Sequence, residues 1–333
     1  MTIGFGDLAR TMPLTRQGVQ ARADLARLSQ ELTTGRHSDV AAANRGDLRA
    51  ATGIERNLTI LASAEQAAQS VQHRMAAMQA ALDTVGEAAS SAAGDLILSA
   101  DPAANSGAER ASDSAKAALG TVVSALGVRM GGVNLFSGQA SDQAPLPSLD
   151  DMLTDLQAAV TAAAPATAAD LEATIDAWFA PGGGMDVAHP VAGADQPTVL
   201  TVAPGETLTV DATAADPALR SLMAGLALGI HAADLGDAGE RREAMRSAGT
   251  SLLGDEAGRA NLQAQIGVAE GQSERALTRV RSEVNALELA RGEVLEVDRY
   301  ETATKFQAAE AAVETLYLVT SRLSGLSLAN YIR

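Results

Sequence analysis

The residues able to do chemistry are few and dispersed. His37, His73, His189 and His231 stand apart, and no His-Glu-x-x-His pair puts two imidazoles on one helical face. The nearest thing to a phosphate loop is Pro181-Gly182-Gly183-Gly184-Met185, but no Lys-Ser/Thr follows it. It reads as a flexible connection. Asp150-Asp151 ahead of Leu153 reads as helix N-capping rather than as metal ligands, because carboxylates stabilise the positive end of a helix. Trp178 and Phe179 read as local core, with an exposed contact as the alternative. The chain has no cysteine, so disulfides, thiolate metal sites and a cysteine nucleophile are excluded. No catalytic constellation can be assembled, and no enzyme, metal site or cofactor is expected.

The elements around these residues are more informative. Hydrophobic residues make up 47% of the 333-residue chain, while aromatic residues make up only 2%. Ala and Leu are the strongest apolar helix formers, so a core this poor in rings suits closely packed helices. Net charge is −16, and its distribution matters more than its size. Residues 141–240 hold 15 acidic residues and one basic residue, Arg220, so nearly all the acidity sits there. Acidic surface repels phosphates, which makes nucleic acid a poor partner candidate, and none is expected. Eight of the ten prolines fall between Pro145 and Pro217. Proline is costly inside helices, so helical ends flank an irregular middle.

Each end carries a heptad stripe. Residues 1–18 read as a poor helix, broken by Gly4, Gly6, Pro13 and Gly18. From Val19 the pattern improves through Leu25, Leu28 and Leu32, with Gly35 as C-cap. The clearest stripe is Leu61, Ala64, Ala68, Val71, Met75, Met78, Leu82, Val85, Ala89, Ala92 and Leu96, about five heptads without a slip. A further helix starts near Ala108. The C-terminal stripe runs Leu262, Ile266, Ala269, Ser273, Ala276, Val280, Glu283, Leu287, Ala290, Val294 and Val297. The spacing predicts one helix over about 259–301, ~65 Å long, supported by the pairs Glu256/Arg259, Glu288/Arg291 and Glu296/Arg299. In the middle, helices are expected over Asp150–Ala163, Asp170–Phe179 and Asp216–Leu235. A hairpin of Thr198–Val202 with Thr207–Val210 turns at Ala203-Pro204-Gly205-Glu206. The last segment makes a stripe of Leu316, Val319, Leu323 and Leu326, with Leu318, Leu328 and Ile332 outside it. A monomer would expose much of this surface, which marks an interaction face.

Three stretches carry a resemblance. They are Leu28-Ser-Gln-Glu-Leu-Thr-Thr-Gly-Arg36, Gly131-Gly-Val-Asn-Leu-Phe-Ser-Gly138, and Tyr300-Glu-Thr-Ala303 followed by Leu316-Tyr and Ser327-Leu-Ala-Asn-Tyr331. In order and spacing the chain resembles the flagellin superfamily of bacterial axial proteins, most of all the hook–filament junction type (hook-associated protein 3). It departs from that type at Ser38-Asp-Val-Ala-Ala-Ala-Asn44, which has no proline. The asparagine-rich segment of filament flagellins is also missing.

The resemblance implies a mainly α fold. A long helical coiled-coil bundle is formed by the N- and C-terminal segments and carries a small inserted α+β domain. Residues 1–40 and 303–333 would be terminal assembly segments. Residues 41–140 and 241–302 would form a rod, and 141–240 an acidic outer domain. The expected assembly interface is Leu25, Leu28, Leu32, Leu316, Val319, Leu323 and Leu326. The expected intramolecular seam is Leu61, Val71, Met75, Met78, Leu82, Val85, Ile266, Val280, Leu287 and Val294. Implied partners are further copies in a ring, a neighbouring hook-associated protein, flagellin and an export chaperone. The implied location is the extracellular flagellum, reached without a cleaved signal peptide. No stretch approaches the ~20 apolar residues of a membrane span, so no membrane partner is expected. Filament flagellin, or a signalling or adaptor coiled coil, are the alternative readings.

Overall fold

The computed structural model describes residues 5–101 and 107–331, with side chains except at 5–11, 14 and 323–331. Helices α1 (Phe5–Thr34), α2 (Val40–Ala43), α3 (Arg49–Ser99) and α4 (Ala108–Leu126) lead into short strands β1 (Arg129–Met130) and β2 (Val133–Asn134). There follow α5 (Leu149–Ala163), α6 (Ala168–Phe179), α7 (Gly184–Ala188), β3 (Thr198–Ala203) and β4 (Glu206–Val210). The chain closes with α8 (Pro217–His231), α9 (Ala238–Gly254), α10 (Glu256–Leu295) and α11 (Arg299–Tyr331). The fold is mainly α, with two small antiparallel hairpins, β1–β2 and β3–β4. Contacts divide the chain into two compact units, one of residues 1–62 with 282–333 and one of residues 63–281.

In the second unit the heptad stripe becomes the spine of a core. Every stripe residue of α3 from Ala64 to Leu96 is buried. On α10, Leu262, Ile266, Ala269, Ser273, Ala276 and Val280 are buried too. The two helices run antiparallel, fixed by polar links that descend along one as they climb the other. Arg281 Nε meets Glu65 Oε1 at 2.8 Å, Ser273 Oγ donates to the Ala68 carbonyl at 3.1 Å, and Gln79 Nε2 donates to the Gln263 carbonyl at 2.8 Å. Ser273 shows why a heptad position can be polar at no loss: its one donor is satisfied where it is buried.

The same core continues through α4, the middle helices and β3–β4. Helix α8 lies at its centre, and Gly229 lets it come close to α3. A Cβ added at Gly229 would stand 2.8 Å from both Leu96 methyls. Trp178 and Phe179 are buried and meet edge to face, with centroids 4.7 Å apart. That geometry is the favoured one for aromatic pairs.

Several local expectations are corrected. The true cap of α5 is Ser148, whose hydroxyl accepts from the Asp151 amide at 3.2 Å and donates to its carboxylate at 2.6 Å. The Pro181–Gly184 stretch is a packed turn, held by the Gly182 amide donating to Asp186 at 2.8 Å, and Gly184 opens the single turn α7. Residues 5–18 are helical despite Pro13, which costs α1 one internal hydrogen bond without ending it. The expected helix over 259–301 is two helices, because the chain breaks at residues 296–298. That break separates Glu296 from Arg299. Arg259 turns inward, where Gly86 leaves room for its guanidinium, instead of pairing with Glu256 on the surface. Only Glu288 and Arg291 stay within pairing reach, at 3.9 Å.

Candidate assembly interface

The candidate site lies in the first unit, where the two ends of the chain meet. Helices α1 and α11 pack together. They are antiparallel, since Gly35 lies beside Arg299 and Arg22 beside Tyr317. On α1, Leu28 is buried and Gly18, Ala21, Leu25 and Leu32 are half-buried. On α11, Thr302 is buried and Ala303, Phe306, Ala309, Val313 and Leu316 are half-buried. Apart from Ala303 beside Thr302, both sets alternate in steps of three and four, which is the seam of a two-helix coiled coil. Two helices cover only one side of each other, so residues off the seam stay wet.

Several of those off-seam residues are large and apolar. Met12 is 60% exposed, Val19 64%, Tyr317 57% and Leu318 62%. Val319 is also exposed, at 39%. The expected interface set therefore divides. Leu25, Leu28, Leu32 and Leu316 face the intramolecular seam, Val319 faces outward, and Leu323 and Leu326 lie outside the described side chains. The leucine spacing does not single out Met12, Val19 and Tyr317, because the strongest period in each helix belongs to the partner within the chain. Met12 and Val19 stand one heptad apart on α1, and Tyr317, Leu318 and Val319 are consecutive on α11, so they form outward apolar positions rather than a second stripe. Of the expected seam, Leu61, Val71, Met75, Met78, Leu82, Val85, Ile266 and Val280 are buried, whereas Leu287 and Val294 are half-buried. In the first unit Arg291 stands 3.8 Å from Glu55 across this thinner part.

Polar contacts set the register of the terminal pair. Arg22 Nη2 donates to the Tyr317 hydroxyl at 2.5 Å, and its guanidinium carbon is 5.0 Å from the ring centroid. Where both helices of the pair end, the chain forms a small clasp. The His37 amide donates to the Leu295 carbonyl at 2.9 Å, and the Val297 amide donates to the Gly35 carbonyl at 3.1 Å. Arg36 and Glu296 thus face each other in an antiparallel bridge. Gly35 adopts φ +70°, the left-handed conformation that ends a helix, and the Arg299 guanidinium covers it. Glu31 is 4% exposed and accepts at 3.1 Å from both the amide and the hydroxyl of Ser38, and at 3.3 Å from Arg27. Burial alone would raise its carboxyl, but the Ser38 bonds and the Arg27 charge together hold it below the ordinary 4.5.

Other places in the molecule are less suited to function. A groove of about 430 Å³ lies between α3 and the two hairpins, lined by Met75, Met78, Leu135, Leu200 and Val210 with Arg74 at its edge. Arg220, 8% exposed, is committed to structure: it bonds Asp186 at 2.7 Å and the Phe179 carbonyl at 3.0 Å. Among the described residues no cluster of three His, Asp or Glu side chains is arranged for a metal ion, and no helix is long and apolar enough to cross a membrane.

No known protein family and no curated protein matches the sequence. The fold does match a solved structure from Vibrio parahaemolyticus, a protein provisionally assigned as flagellar hook-associated. The TM-score is 0.52 at 15% identity, over 73% of this chain and 94% of that one. At this identity the likeness is one of fold.

Proposed function

We propose that this chain is a structural subunit of the bacterial flagellum that joins hook to filament. The observation that carries the reading is the terminal pair. Helices α1 and α11 satisfy each other along one seam and leave Met12, Val19, Tyr317 and Leu318 in water. Burying an apolar side chain is worth roughly 1.5–3 kcal/mol, so a neighbour that covers these residues gains substantially. The best-fitting neighbour is another copy in a ring, followed by a hook-associated protein on one side and flagellin on the other. An export chaperone would cover the same residues beforehand. The acidic middle segment suits a solvated outer face, and the chain acts as a scaffold rather than an enzyme. The fold shared with a flagellar hook-associated protein supports the reading, as do the three sequence stretches named above.

Deleting the gene in the source bacterium tests it. The junction role predicts an intact hook and flagellin shed unpolymerised into the medium. Purified chain that forms long homopolymers unaided would instead make it a filament flagellin. Normal filaments in the deletion strain would remove both readings.

A further inference from the structure

The clasp stitches together two chain breaks that are far apart in sequence. One follows α1 at Gly35, and the other separates α10 from α11 at residues 296–298. Among the described residues, two backbone hydrogen bonds cross between them, at 2.9 and 3.1 Å, with Asn44 Nδ2 adding a longer one to the Val294 carbonyl at 3.4 Å. A ladder this short is weak by itself. What holds its N-terminal strand in place is Glu31, which reaches past the end of its helix to grip Ser38 twice. The Gly35 amide donates to the Glu31 carbonyl at 2.8 Å as well, so the same residue ends the helix and fixes the segment that follows.

We propose that Glu31 is the pin of a two-legged joint: its ionised carboxylate, by holding Ser38, keeps the breaks in both legs paired, and neutralising it loosens both together. The terminal pair α1–α11 is then a single arm on a shared joint, not two independent tails. Hydrogen bonds to a charged acceptor are about twice as strong as neutral ones, which is why the charge matters and not only the shape.

The charged surroundings support the assignment. Among the described residues, Arg27 on the same helix is the cation that pairs with Glu31. On the connecting segment, Arg36 and His37 contribute to the ladder through their backbones. On the opposite leg, Glu296 folds back toward Gly292, Asp298 caps α11 by accepting from the Tyr300 and Glu301 amides, and Arg299 lies over Gly35. None of these opposite-leg groups substitutes for the Glu31 carboxylate at Ser38.

The test is residue-resolved amide exchange on the full chain at neutral pH, comparing wild type with Glu31→Gln. Glutamine keeps the shape and one acceptor but loses the charge. Exchange at Ser38 and His37 should accelerate by about tenfold or more. Exchange at Val297, on the other leg, should accelerate by a similar factor, while amides in the middle of α1 and α11 keep their protection. Unchanged exchange at all three positions would overturn the pin. Acceleration at Ser38 and His37 with Val297 unchanged would overturn the coupling of the legs. A uniform loss throughout α1 and α11 would show that Glu31 only stabilises the helix pair, and would also overturn the proposal. Ser38→Ala offers a second route, since it removes one of the two grips and should give a smaller loss with the same distribution.

Discussion

The Val297 amide donates to the Gly35 carbonyl, 3.1 Å away, and so ties the break ahead of α11 to the residue that ends α1. Two helices that begin and end the chain thereby stop at the same place. Gly35 makes this possible with its left-handed backbone.

Gly35→Ala should therefore destabilise the terminal pair. A non-glycine residue at φ +70° costs roughly 1–2 kcal/mol. The new Cβ would stand 3.2 Å from Arg299 Nη2, but that is the far end of a flexible side chain and can yield. Backbone strain is the larger effect. Circular dichroism should show a loss of helix at lower temperature, with the Trp178 environment unchanged.

The two units should unfold separately. The chain has one tryptophan, and Trp178 lies in the core of residues 63–281, so its fluorescence reports that unit alone. Among the described residues, the first unit buries few large apolar side chains: Leu28, Leu61 and Val297. It should open first. In urea, the circular-dichroism transition should begin before the fluorescence transition, which departs from two-state behaviour. Coincident curves would contradict this.

Core and surface leucines should respond differently. Leu96→Ala, at a fully buried stripe position, should cost about 2–5 kcal/mol by denaturant unfolding followed at Trp178. Leu289→Ala, 75% exposed on α10, should change stability by no more than about 0.5 kcal/mol.

His231 gives the second unit a pH dependence. Its ring is 3% exposed, Nδ1 is 3.3 Å from Asp234 Oδ2, and the buried Nε2 has no partner. Burial pushes the imidazole below its ordinary 6.5, by more than Asp234 raises it. As pH falls below 6.5 the unfolded chain takes up a proton that the folded chain refuses, so this group's contribution to stability declines. The decline ends once pH passes the lowered folded value. Unfolding free energies measured across this range should slope downward toward acid, and His231→Gln should flatten that slope.

Much of this architecture is legible in the sequence. The unbroken three–four alternation from Leu61 to Leu96 marks a buried face because only one period fits so many positions. The Pro204-Gly205 turn marks the β3–β4 hairpin. The break at residues 296–298 is masked by the heptad, which runs on through Val294 and Val297 while the backbone stops. Its local signal is Asp298, which caps α11 by accepting from the Tyr300 and Glu301 amides, whereas the tertiary bonds to Gly35 and His37 have no sequence signature. The outward apolar residues have no regular signature for a related reason. Leu25, Leu28, Leu32 and Leu316 are the most regular apolar positions, and regularity is what an intramolecular seam selects. Glu31 is likewise silent in sequence, because its burial depends on Ser38 folding back over it.

The central claim is that the exposed apolar residues of the terminal pair are the assembly surface. It is tested most directly by returning Val19→Asp, Leu318→Asp chain to the deletion strain and measuring flagellin in the medium. Both positions are exposed, so the monomer should fold and Trp178 should report an unchanged transition. The account predicts flagellin shed into the medium as in the deletion strain. Filaments of normal length and number on cells carrying this variant would contradict it.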